Sequence, residues 1–401
     1  MQIYNLPANN LYGNKPVELQ FPDNWEVSTY SYAGEKASTL SKEEVAQKIA
    51  APEGTPTIAE GAKGCNDAVL ILEDITRPTP LAPIVHEVIG QLTQAGVPRK
   101  NIRFIIATGM HRALSREDLV RKLDEELVSE FRIFCHNPFY NNAYIGHSIH
   151  NIPIEINTDV VRAEYKIGIG SLFAHPHTGL GGGAKILVPG VASLETIRQF
   201  HLYPGDRWNL ESHMLTIADQ AAELLGLDFK IDAMLNGSGE ISELYCGHWT
   251  SVRDNHLDEV KQFYLTKRPR PVELVIANNY FKPTEPAFAY SDPGIFDLVK
   301  PGGDIVISSH TPQGAAPHYL FGCWGDKGLG GYLNEGPGVI PAHIRNYFAF
   351  SIYPDRGTAD GYHLDETKHI WASKWEDILQ TLGSEPRSVA ILPYVTIAWM
   401  E

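Results

Sequence analysis

Residues 68–109 read AVLILEDITRPTPLAPIVHEVIGQLTQAGVPRKNIRFIIATG, and this stretch decides the fold class. AVLILE (68–73) is a short apolar run closed by the turn-forming DITRPTP. PLAPIVHEVIGQLTQAG then carries a helical pattern, with proline near its start and glycine at its end. IRFIIATG (102–109) is a second apolar run. Strand, helix and strand at this spacing form a βαβ unit with a parallel sheet.

Working outward, SREDLVRKLDEELVSEF (115–131) predicts one charged amphipathic helix. EYKIGIGSLF (164–173) predicts a strand leading into a long glycine-rich segment. A second α/β pattern begins after KRPRP (267–271), with apolar runs in VELVIANN, GGDIVISS and SVAILPY. The expectation is an α/β protein of two domains, 1–267 and 268–401, each with a largely parallel sheet. Ligands of open α/β sheets bind beyond the carboxyl ends of strands, and clefts between domains are favoured, so an interdomain active site is expected.

Bulk properties narrow the function. The 401 residues are 43% hydrophobic and 20% charged, a globular composition. A net charge of -15 argues against nucleic acid or an anionic membrane as partner, since both require a basic surface. Cys65, Cys135, Cys246 and Cys323 are scattered without a CxxC pair, as in a protein of reduced thiols. MQIYNLPANN has neither a basic n-region nor an apolar h-region, and no apolar run reaches the roughly 18 residues of a membrane span. A soluble, cytoplasmic protein is expected, and self-association into a homo-oligomer is left open.

Three strand exits carry unusual residues: Asp74-Ile75-Thr76-Arg77-Pro78, Met110-His111-Arg112, and His175-Pro176-His177 followed by TGLGGGAK ending at Lys185. Arginine is the usual residue for bidentate hold on a carboxylate. The glycines Gly181, Gly182 and Gly183 allow backbone N–H groups to approach a phosphate. The segment does not match the P-loop GxxxxGK[ST], because Lys185 is followed by isoleucine. His175 and His177 alternate on an extended segment and could share a zinc ion, with His111 or His201 as third ligand. That pattern describes a zinc-dependent hydrolase or lyase. A non-catalytic nucleotide-binding protein would use the glycines alone and leave the histidines unexplained.

Taken jointly, DITRP (74–78), ATGMHR (107–112), HPHTGLGGGAKILVPG (175–190) and His201 resemble the lactate racemase family that uses the nickel-pincer nucleotide. The resemblance implies an isomerase that inverts C2 of a 2-hydroxy acid by reversible hydride transfer. It implies that Lys185 attaches the cofactor, a pyridinium bisthiocarboxylic acid mononucleotide carrying nickel, and that Thr76 and Gly181, Gly182 and Gly183 also contact it. His201 is implied as the nickel ligand, and His111 and His175 as the acid/base pair. Arg77 is implied to hold the substrate carboxylate, with Asp74 orienting it. Lys300 is implied as a further substrate contact from the second domain. No family role falls on His177. Cofactor-making proteins are implied as partners, and release of a keto acid would turn the same chemistry into a transhydrogenase. Beside Lys300 the family's lactate-specific members carry tyrosine and glutamine, where this chain has Phe296 and Asp297. That departure suggests a substrate longer or more hydroxylated than lactate, such as an aldonate epimerised at C2.

Overall fold

The computed structural model describes residues 1–175, 178–203, 212–286, 293–320, 339–353 and 369–401. The chain forms two compact units, one of Lys36–Gln262 and one that joins Met1–Glu35 to Phe263–Glu401. A linear cut near residue 267 therefore misplaces the first 35 residues. They return to the second unit because Glu26–Thr29 pairs in parallel with Ser388–Leu392 as an edge strand.

In the 36–262 unit a six-stranded sheet runs in the order Ile241–Gly247, Phe229–Leu235, Tyr165–Ser171, Ala68–Glu73, Ile102–Ala107, Arg132–Cys135. All neighbours are parallel except the antiparallel edge strand Ile241–Gly247. Every residue of the central 68–73 strand is buried, which explains its unbroken apolar run. The helix Ala82–Gln94 buries Ile84, Val85, Val88, Ile89 and Leu92, the periodic face read from sequence. Proline at its first turn and Gly96 at φ +98° beyond its end punctuate it as expected.

The chain order across this sheet matters for function. From 68–73 it winds outward through 102–107 to 132–135, then returns to the other side of 68–73 as 165–171. The winding direction reverses between 68–73 and 165–171, and the carboxyl ends there flank the crevice where such sheets bind ligands.

The single helix expected over 115–131 is two, Arg116–Lys122 and Glu125–Glu130. Asp124 breaks the run: at φ 113° it caps the second helix by accepting from the Leu127 N–H at 2.9 Å. Its other carboxylate oxygen lies 2.7 Å from His86 Nε2, a partner 38 residues away.

The second unit has its own six-stranded, all-parallel sheet: Ile370–Ala372, Asn346–Phe350, Val299–Ser308, Val272–Asn278, Ser388–Leu392, Glu26–Thr29. Two apolar clusters pack against it, one including Leu274, Ile276 and Trp375, the other Val275, Ile305 and Ile307. Successive residues of one strand thus serve opposite faces. Cys65, Cys135 and Cys246 are free thiols, and Cys323 lies outside the described residues. Among the described residues no helix is long and apolar enough to cross a membrane.

Each unit also buries a histidine away from water. His136 accepts from Asn157 Nδ2 at 3.3 Å and donates to the Ala192 carbonyl at 2.8 Å; burial lowers its pKa to about 4. His310 accepts from the Ile352 N–H at 3.3 Å, and burial lowers its pKa to about 3. In the unfolded chain both titrate near the usual value of about 6.5. Between that value and the folded pKa the unfolded state binds more protons. Stability is therefore complete above about pH 6.5 and falls on acidification by about 1.4 kcal/mol per pH unit per histidine. Urea unfolding of wild type and His136→Gln at pH 7 and pH 5 tests this. The variant should lose less stability over that interval, and equal losses would contradict it.

Candidate active site

The site is best built from the end of strand 68–73. Asp74 is 2% exposed, and both carboxylate oxygens are committed. Oδ1 accepts from the Thr76 N–H at 3.0 Å, closing an Asx turn, and from the Thr76 hydroxyl at 2.5 Å. Oδ2 accepts from His111 Nδ1 at 2.7 Å. Burial works to raise the pKa of Asp74, but His111, Arg77 and the Thr76 hydroxyl outweigh it and hold the carboxyl below its ordinary range.

Asp74 directly orients His111, and Thr76 links it to Arg77, its Oγ1 accepting from Arg77 Nη1 at 2.7 Å. Thr76 is thus a bridge between carboxylate and guanidinium.

His111 arrives on a tight turn after strand 102–107, its N–H bonding to the Thr108 carbonyl at 2.8 Å. Gly109 within that turn has φ +53° and donates to the Gly190 carbonyl at 2.9 Å. This bond ties the ATGMH turn to the end of the AKILVPG stretch that follows Lys185. A proton on Nδ1, donated to Asp74, leaves the ring's lone pair on Nε2.

His175 lies in the short strand Ala174–His175, paired antiparallel with Gly179–Leu180, and is 6% exposed. Its Nδ1 accepts from the Thr178 N–H at 3.3 Å, so in the neutral ring Nε2 carries the proton. The two histidines thus present opposite tautomers. His177 lies outside the described residues, so the zinc pattern built on it has no geometry to rest on.

The glycine-rich segment continues from strand 165–171, beside 68–73 at the reversal of the sheet. The Gly181 N–H bonds the Phe173 carbonyl at 2.7 Å. Gly182 and Gly183 have φ +81° and +56°, and the turn Gly183–Ile186 carries half-buried Lys185. The Gly183 N–H bonds Asp232 Oδ2 at 2.7 Å. His201 caps the helix Leu194–Phe200, and its Nδ1 donates to the Ile197 carbonyl at 2.8 Å, which leaves Nε2 with the lone pair.

The three second-unit residues do not reach a carboxyl edge. Lys300 is the second residue of strand 299–308, at the amino end of its sheet, and its Nζ bonds Glu273 at 2.5 Å. Phe296 is 9% exposed within the apolar core, its ring 6.4 Å from that of Tyr347. Asp297 is 73% exposed, with Arg268 at 4.0 Å. The short GIFDLVKPGG motif matched in residue type, but packing sends its phenylalanine inward and its charges to the wrong end.

Sequence reading missed four buried charges beneath the site. Lys122 Nζ donates to Glu73 Oε1 at 3.1 Å and to the Arg77 carbonyl at 2.9 Å. Glu73 also accepts from the Ser171 hydroxyl at 2.9 Å. Lys230 and Asp232 are bonded to each other and both are 0% exposed. The signal was present in FKIDAML (229–235), where two charged residues alternate inside an apolar strand.

The hydrogen bonds at Asp74 make a test. Oδ1 receives two donors, so in Asp74→Asn that position must remain the carbonyl oxygen, and the amide NH2 must face His111. A donor opposite Nδ1 forces the ring proton to Nε2. Nitrogen NMR should therefore show His111 switching tautomer in Asp74→Asn, and an unchanged Nδ1–H spectrum would refute the assignment.

Known proteins resemble this chain in sequence and in fold. Residues 12–210 match the family described as the lactate racemase N-terminal domain. A lactate racemase from Thermoanaerobacterium thermosaccharolyticum is 25% identical over 76% of this chain and 74% of its own length. A lactate racemase from Lactiplantibacillus plantarum is 30% identical over 63% of this chain and 62% of its own. The fold matches the lactate racemase apoprotein structure from T. thermosaccharolyticum with a TM-score of 0.70 at 18% identity, covering 100% of both chains. A crystal structure of a Thermotoga maritima protein matches with a TM-score of 0.67 at 16% identity, over 90% of this chain and 99% of that one. With its Asp74–His111 and glycine-turn motifs inside the matched residues, the 12–210 part of the chain belongs to the lactate racemase N-terminal domain family.

Proposed function

We propose that this protein is a racemase or epimerase that inverts C2 of a 2-hydroxy acid. The observation that carries the reading is the opposite tautomers of His111 and His175, fixed by Asp74 Oδ2 and by the Thr178 N–H. Inversion needs one group to take the substrate hydroxyl proton on one face and another to supply a proton on the other. His111, with its lone pair at Nε2, is set to accept; His175, with its proton at Nε2, is set to donate. In the reverse direction the two exchange duties. Asp74 stabilises the imidazolium that forms on His111, because a buried carboxylate 2.7 Å away favours the charged ring. Arg77, steadied by Thr76, offers a planar guanidinium to the substrate carboxylate.

The donor set fits the nickel-pincer nucleotide. His201 has the tautomer of a metal ligand, with Nδ1–H on a backbone carbonyl and Nε2 for the ion. Lys185 supplies an amine on a turn whose preceding glycines bring backbone rather than side chains to a nucleotide. When bound, the group would supply an acceptor for the C2 hydrogen with its electron pair. Since cofactor-making proteins would load the chain, protein expressed alone should be inactive. The expectation of a polyhydroxylated substrate rested on Phe296 and Asp297, which face the core and the solvent, so the proposal stops at the 2-hydroxy acid class.

The deciding experiment compares intact mass and metal content of wild type and Lys185→Ala, each co-expressed with the cofactor-making machinery. Added mass with nickel on wild type alone is expected; no adduct, with zinc bound instead, would overturn the proposal. In loaded enzyme, His111→Gln and His175→Gln should each lower racemisation of 2-hydroxy acids by about 10²–10⁴-fold. Full activity in either variant would remove that histidine from the acid/base pair.

A further inference from the structure

The glycine turn has a single buried anchor, and three separate glycine positions in the sequence trace back to it. In the register of the parallel pair, Lys230 sits opposite Gly168 and Asp232 opposite Gly170. A Cβ on Gly168 would lie 2.9 Å from Ile186 Cγ2 and 3.0 Å from Lys230 Cδ. One on Gly170 would lie 3.5 Å from Asp232 Oδ1, 3.7 Å from Lys230 Nζ and 3.2 Å from Glu73 Oε2. The GIG of KIGIGS therefore keeps a slot over the strand, and the Lys230 and Asp232 side chains fill it. Lys230 Nζ donates to Asp232 Oδ1 and, at 2.9 Å, to the Ile231 carbonyl. The other oxygen, Oδ2, leaves the slot and accepts the Gly183 N–H at 2.7 Å. At Gly182, φ is +81° and a Cβ would lie 2.8 Å both from that same oxygen and from Leu172 Cδ1, so only glycine lets the chain pass.

We propose that Asp232, held by Lys230, is a positioning residue that fixes the turn carrying Lys185 for attachment of the cofactor. It touches no reacting atom. It acts by holding the Gly183 backbone two residues before the lysine, through a charge-assisted bond made where water cannot compete. The cost of burying two charges for one backbone contact to the turn and one within the strand indicates that the turn contact is worth more in geometry than in stability. The proposal rests on the cofactor reading above, but the anchor itself can be judged without cofactor.

The test is amide hydrogen exchange across residues 178–188 in the unloaded full-length chain, together with the Lys185 adduct after co-expression. Lys230→Met combined with Asp232→Asn, the control, keeps an acceptor oxygen for the Gly183 N–H, because no lysine then competes for it. Lys230→Met combined with Asp232→Leu, the double variant, removes the acceptor while leaving no unpaired charge and a filled interior. The double variant should exchange about ten- to a hundredfold faster in this segment, the range for losing a bond to a charged acceptor, while strand 102–107 stays protected. It should also lose the Lys185 adduct, whereas the control should keep the adduct and exchange more slowly than the double variant. Unchanged exchange in the double variant, or loss in the control as complete as in the double variant, would overturn the anchor. If the double variant fails to fold, Gly182→Ala replaces it: its Cβ collides with Oδ2, so exchange in 178–188 must rise, and unchanged exchange refutes the proposal. A wild type that never takes an adduct would sink the cofactor reading and leave the exchange result to decide the anchor alone.

Discussion

The buried carboxylate of Asp74 is the constraint on which the arrangement of the site depends. It stands where the central strand ends, with almost no access to water, so each of its oxygens must be satisfied by protein donors. Two donors come from Thr76, its near neighbour, and the third from His111, 37 residues away on the next strand exit. One carboxylate thereby joins two loops, selects the tautomer of a histidine and steadies an arginine through a threonine hydroxyl. Loops alone are mobile; loops pinned to a strand end by a buried charge are not.

Beneath that hub lies a layer of charge that ordinary packing would exclude. Glu73 with Lys122 and Asp232 with Lys230 are buried, and the glycine at 170 stands where both carboxylates converge. Burial disfavours the charged forms, lowering the pKa of Lys122 and raising that of Asp232 against the pull of their partners. Apolar residues of similar volume would serve stability as well or better. What they could not do is hold backbone: Lys122 bonds the Arg77 carbonyl and Asp232 the Gly183 N–H, one contact for each loop of the site. The layer reads as a floor that sets the heights of the two loops relative to the sheet.

The legible parts of the fold were those governed by local pattern. Strand 68–73 and helix 82–94 were readable because hydrophobic periodicity and the proline and glycine punctuation are local properties. The helix expected over 115–131 was broken by Asp124, whose left-handed backbone and pairing with His86 depend on a helix 38 residues distant. The first 35 residues were misassigned because strand pairing across a whole chain leaves no trace in composition. Lys300, Phe296 and Asp297 were chosen from a motif too short to say which end of a strand it would occupy.

The sequence by itself determined the residue types at the strand exits: an acid and arginine after one strand, a histidine after the next, histidine, glycines and lysine after the third. It also determined the α/β class, since those exits follow apolar runs at βαβ spacing. Only the tertiary structure decided which nitrogen of His111 carries the proton, that Asp74 serves His111 as well as Arg77, and that a carboxylate from strand 229–235 holds the glycine turn. The reason is physical: the His111 tautomer and the Asp232 bond are set by distance and direction to partners tens of residues away. Those distances exist only once the strands have been laid side by side.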